Sequence, residues 1–227
     1  MIILKFTDNI ISKNNKRKRK TERVERASFI IDNKIFNIYT VPKSIINDRN
    51  IHRLINSNKG EIIALNSDSS IPKKFLYSPD NYFQRAIIST LIKLIKANKA
   101  EYKSVCVKTV DFNNADEFYE LASVSKSLTL VTVANKNVEQ FIKNCFVNYG
   151  MVVTRSDTVD KSYNIIINLD DIDDNAKLIG EFNGFSKLIY PNIEYFKVNE
   201  SVEKLLNLGV PLPLACSVIY GNKALVK

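Results

Sequence analysis

The carboxylates placed where chemistry could gather are Asp68, Asp111, Asp157, Asp170 and Asp171, each following a short apolar run. Drawn together, such side chains would hold a divalent cation, and magnesium is the ion an all-oxygen rim would take. The amides and hydroxyls beside them, as in Asn66-Ser67-Asp68 and Asp111-Phe112-Asn113, suit a small polar ligand instead. A structural role competes at every one of these loops, because Asp, Asn and Ser are also the residues that cap helices and make turns. Asp170-Asp171-Ile172-Asp173-Asp174 is the densest acidic group. It suits the start of a helix, where the macrodipole favours negative charge, as well as it suits a metal.

A second feature is basic. Between Lys13 and Arg26 stand eight Lys or Arg against two Glu, a local charge of +6 in a chain whose net charge is +9. Lys16, Arg17, Lys18, Arg19, Lys20 and Arg23 form its centre. Such a cluster can follow a phosphate backbone by salt-dependent, sequence-independent contact, with Phe36 and Tyr39 as candidate stacking residues. The rest of the chain carries only +3, whereas a nucleic-acid-binding face normally spreads its cations. A solvated loop, or a contact for an acidic protein partner, is the competing explanation.

Other chemistries are excluded by count. The single histidine, His52, rules out most zinc sites and every scheme that needs two imidazoles. Cys106, Cys145 and Cys216 are odd in number, far apart and set among apolar residues, so they read as buried thiols of a reducing compartment. The six glycines never stand two apart, which removes the Gly-x-Gly of dinucleotide-binding loops and the Walker loop together. After Val110, where a dinucleotide fold needs glycine, the chain has Asp111-Phe112-Asn113-Asn114. After Ala134, where an acidic residue would hold the ribose, it has Asn135-Lys136.

The elements that must position these residues follow from periodicity. Residues 2–6, 28–31 and 35–39 read as strands, the last two as a hairpin around Asp32-Asn33-Lys34. Residues 44–56 carry a weak helical pattern and residues 61–65 a buried-strand pattern. Ser78-Pro79-Asp80 starts a long helix to about residue 99, with Ser78 as cap and Phe83, Ile87, Leu91 and Ile95 on one face. Beyond it, strands are expected at 104–110, 128–134, 151–154, 163–169 and 186–190. Helices are expected at 116–124, 137–149, 173–182, 199–208 and 211–220.

Apolar strands alternating with amphipathic helices indicate parallel strands covered on both faces. The expected fold class is therefore α/β: a doubly wound, mostly parallel Rossmann-like sheet over residues 60–227. A small N-terminal β-hairpin and helix unit with a basic loop is expected over residues 1–59. Apolar Met1–Leu4 ends at Lys5, with the basic run after it, so no secretory signal is read. Residues 86–97 contain Lys93 and Lys96 and fall short of the ~20 apolar residues of a membrane span. These features point to a cytoplasmic protein with no membrane partner and no predicted cofactor. The function they favour is a non-catalytic binding or regulatory module that lacks the dinucleotide phosphate loop. A magnesium-dependent enzyme using the Asp-rich rim, and a nucleic-acid binder through residues 13–26, are the alternatives.

Overall fold

The computed structural model describes residues 1–7, 24–43, 49–65, 71–98, 102–112, 116–160 and 162–221. The chain divides into two compact units, Met1–Ser78 with Asn199–Val210, and Pro79–Val198 with Pro211–Lys227.

The first unit is built on β1 (Ile2–Thr7), β2 (Glu25–Ile31), β3 (Lys34–Pro42) and β4 (Ile62–Leu65), in the sheet order β2-β3-β1-β4. β2 and β3 form the expected hairpin. Its two turn residues, Asp32 and Asn33, both have positive φ, at 47° and 61°, as a two-residue turn matched to strand twist requires. β1 runs parallel to both β3 and β4. Ile2, Leu4 and Phe6 point to one face of β1 and pack with Ile51 and Ile55 of α1 (Arg49–Ser57). α5 (Glu200–Asn207) belongs to the same unit. Its Asn199 cap accepts the Val202 N–H at 2.9 Å, and Ser201 Oγ donates to Asp32 Oδ1 at 2.8 Å, tying the helix to the hairpin turn.

The second unit holds the α/β sheet. β5 (Ser104–Lys108), β6 (Ser127–Val131), β7 (Val153–Ser156) and β8 (Ile165–Asn168) are parallel, and β9 (Leu178–Phe182) and β10 (Phe185–Ile189) add an antiparallel hairpin. The order is β10-β9-β8-β5-β6-β7. Its parallel part, β7-β6-β5-β8, reproduces the 3-2-1-4 order of Rossmann-like sheets, with the switch point between β5 and β8. The fold is thus α/β with a mostly parallel Rossmann-like sheet, mixed where the hairpin joins.

α2 (Asp80–Ala97), α3 (Asp116–Val124) and α4 (Lys136–Tyr149) share one core. Ile87, Leu91, Phe118, Leu121, Val138 and Phe141 close over Val105, Val107, Leu128, Leu130, Ile165 and Ile167. These strand residues alternate along β5, β6 and β8, so the three helices cover a single face. The intervening Thr129 looks the other way. It meets Thr154 Oγ1 at 2.8 Å and accepts from Tyr163 OH at 3.0 Å. Tyr163 lies between β7 and β8, so that connection crosses the opposite face, where the winding changes side. α6 (Leu212–Tyr220) packs on α2.

Three local expectations differ from what is observed. Residues 173–182, expected as a helix, instead make an Asx turn at Asp173 and then β9. Leu178, Gly180 and Phe182 are buried in alternation, and Asn183-Gly184 (φ 48° and 83°) is a tight hairpin turn whose sequence signal points to strands. The strand at 62–65, expected to open the Rossmann-like domain at residue 60, pairs with β1 and so extends the N-terminal sheet. At α2 it is Pro79, not Ser78, that stands at the cap, without a side-chain cap bond.

Candidate functional site

Ligands of open parallel sheets gather beyond the carboxyl ends of the strands, first at the switch point. Here that place is filled from within. The Asp170 carboxylate, just after β8, accepts the Val110 N–H from the loop after β5, at 3.1 Å to Oδ1 and 3.0 Å to Oδ2. Thr109 Oγ1 stands 3.4 Å from the same carboxylate and from Gln84 Nε2 of α2. Phe112 turns inward, 5 % exposed, with its ring centroid 4.9 Å from Phe118 and 5.2 Å from Phe141. A phosphate needs free amides and close backbone approach at this loop. It would meet a carboxylate on the Val110 amide and an aromatic ring where glycine usually stands.

Of the remaining acidic candidates, Asp171 and Asp157 are separately engaged. Asp171 Oδ2 accepts from Asn168 Nδ2 at 2.5 Å. Asp157 Oδ1 takes a 2.6 Å ion pair from Arg155. Asp111 is exposed on the loop beside Phe112. Asp173, expected to favour a helix start, accepts the N–H groups of Asn175 and Lys177 in its turn. Among the described residues no three His, Cys, Asp or Glu side chains gather as a metal centre. Asp68 lies outside the described residues, as do Lys16, Arg17, Lys18, Arg19, Lys20 and Arg23. The Asn and Ser residues of the other loops serve as caps and turns: Asn135 accepts from Asn137 and Val138 at the start of α4, and Asn192 from Glu194. His52 is exposed on α1.

What opens beyond the strand ends is a cleft of about 410 Å³ over β5, β6 and β7. It is lined by residues 108–110 and 131–134, with Arg155 and Asp157. Its walls arise from a mismatch of lengths. Residues 104–110 and 128–134 are β-branched enough to read as longer strands, but pairing stops at the row Lys108–Val131–Ser156. Thr109-Val110 and Thr132-Val133-Ala134 therefore run beyond the strand pairing, with the Thr109 N–H still donating to the Val131 carbonyl at 3.1 Å. Val110 and Val133 are left 61 % and 67 % exposed on these overhangs. Thr132, next to Val133, is buried, and its hydroxyl has no hydrogen-bond partner among the described residues. Arg155 donates to the Thr132 carbonyl at 3.0 Å and to Asp157, which fixes the floor of the cleft. Asp157 is expected at this rim from the sequence. Lys108, Thr132 and Val133 are not, because they read as strand interior.

A second polar group lies under the helices. Arg85 of α2 makes a bidentate pair with Glu117 of α3, at 2.9 and 2.7 Å, and Tyr195 OH donates to the same carboxylate at 3.3 Å. Burial opposes the Arg85 charge, but the Glu117 bonds overcome it and hold its pKa above the usual value. Burial raises the Tyr82 and Tyr195 phenols, the latter helped by the Glu117 charge. It also pushes the thiols of Cys106, Cys145 and Cys216 up to about 11. These displaced groups lie away from the cleft and are set by packing, which marks them as structural.

Comparison with models of protein families, with curated proteins and with solved structures gives no match. Among the described residues no helix is long and apolar enough to cross a membrane.

Proposed function

We propose that the chain is a non-catalytic binding module whose Rossmann-like unit holds a small molecule in the cleft over β5, β6 and β7. The observation that carries this reading is the cleft itself, about 410 Å³ beyond the strand ends, with the exposed Val110 and Val133 in its lining. The size suits a one-ring or branched-chain molecule, since ligand pockets run from about 300 to 1,000 Å³. The non-catalytic reading is supported by the described lining, whose one carboxylate, Asp157, is tied to Arg155. The closed switch point supports the absence of a dinucleotide. We place the protein in the cytoplasm, a location supported by three free, buried cysteines.

Thermal-shift screening of a fragment library, alongside NAD(P), nucleotides and S-adenosylmethionine, tests the reading. Fragments should stabilise the protein, and Val133→Arg, which fills the mouth of the cleft from an exposed position, should abolish their effect. Stabilisation by a dinucleotide, or fragment binding indifferent to Val133→Arg, would overturn it.

A further inference from the structure

We infer that the ligand of this cleft is a small monoanion with a compact apolar body, a branched-chain or aromatic carboxylate in chemical class. The inference rests on the cleft being the binding site, as proposed above, and adds the charge and shape of what enters.

The charge comes from the lining. Arg155 and Asp157 neutralise one another at 2.6 Å. Lys108, at the end of β5, is exposed and makes no ion pair among the described residues. Among the residues that line the cleft, one positive charge is thus in surplus, with Asp170 outside the lining and bonded to the Val110 N–H. The other polar groups are mostly donors. The N–H groups of Val133 and Ala134 make no hydrogen bond among the described residues. The Thr132 carbonyl is already taken by Arg155. Donors with a lone ammonium favour an anion, and a single surplus charge balances one carboxylate but not a pyrophosphate. The Val110 amide, which would extend a phosphate site, is held by Asp170.

The body of the ligand is set by the walls. Val110, Val131, Val133 and Ala134 offer methyl groups to a cleft of about 410 Å³. The two exposed valines gain from any apolar group laid between them.

Titrations followed by amide chemical shifts in the ¹⁵N-labelled full chain distinguish the outcomes. The probes are isovalerate and benzoate, with isovaleramide and benzamide as neutral counterparts of the same shape. The acids should shift Val110, Thr132 and Val133 saturably and bind about fivefold or more tightly than the amides. Lys108→Met should lower acid affinity about fivefold, the scale of one partly exposed ion pair, and Lys108→Arg should restore it. Equal binding of acids and amides, or unchanged acid affinity in Lys108→Met, would overturn the inference while leaving the cleft as a site. If no probe moves the cleft resonances while other fragments do, the ligand class is likewise overturned. If no fragment moves them, the cleft reading falls with it.

Discussion

Replacing Phe112 by Ala removes the plug on which the closed switch point depends. The ring is 5 % exposed and meets Phe118 and Phe141 at 4.9 and 5.2 Å, inside the core shared by α3, α4 and the sheet. Burial of a phenyl group is worth about 1.5–3 kcal/mol. Each well-placed aromatic pair adds about 0.5–1.5 kcal/mol. These terms span about 2.5–6 kcal/mol, and the loss should fall at about 3–5 kcal/mol, the range of buried Phe→Ala changes. Urea unfolding followed by far-ultraviolet circular dichroism reads this directly. In a thermal melt it corresponds to a drop of roughly 6–20 °C. A loss under about 1 kcal/mol would mean the ring does not fill the loop, since buried Phe→Ala changes cost about 3–5 kcal/mol. Phe112→Ala should also fail to gain NAD binding, because Asp170 still holds the Val110 amide. Dinucleotide binding by this variant would refute the role given to Asp170.

Four other outcomes follow. Arg85→Ala leaves the Glu117 carboxylate unpaired at a site where both side chains are 13 % exposed, and should cost about 3–5 kcal/mol in urea unfolding; the double change Arg85→Met, Glu117→Leu should cost less. Gly180→Ala would bring a methyl group within 2.9 Å of Ile189 Cδ1 and 3.1 Å of Ile167 Cγ2, and should destabilise by about 1–3 kcal/mol in the same assay. The three thiols, raised to about 11 by burial, stay protonated in the native protein where an unfolded chain at about 9 releases protons. Their contribution to stability is therefore full below pH 9 and lost between pH 9 and 11, and native thiols should react with a disulfide reagent at pH 8 far more slowly than unfolded ones. Deleting residues 13–23 should leave fragment binding in the cleft unchanged, as read by amide shifts at Thr132 and Val133.

The sequence made some features plain because a local rule decides them. Asn135 and Asn199 cap helices with their side chains, and Gly150 closes α4 at φ 65°, as residue type alone suggests. The Asp32-Asn33 turn needed only tolerance of positive φ. Asn183-Gly184 carried the same kind of signal, yet the acidic run before it, read as a helix start, outweighed the two-residue alternation of Leu178, Gly180 and Phe182. Pairing across the chain is less legible. Ile62–Leu65 has the composition of a buried strand in either sheet, and only its hydrogen bonds to β1 assign it.

The cleft was hidden for a related reason. Val131-Thr132-Val133 favours extended backbone wherever it stands, but a strand ends where its neighbours end, and Lys108 and Ser156 stop the row. The Asp-rich loops drew attention by type, while geometry gave Asp157, Asp170, Asp171 and Asp173 internal partners.

The most direct test of the account is amide shift mapping of the ¹⁵N-labelled protein across a fragment library that includes NAD⁺. Saturable shifts are expected at Thr132, Val133 and Ala134, with Asp111, Asp170 and Asp171 unmoved by NAD⁺. Shifts centred on Asp111 and Asp170 with the cleft silent would contradict that expectation.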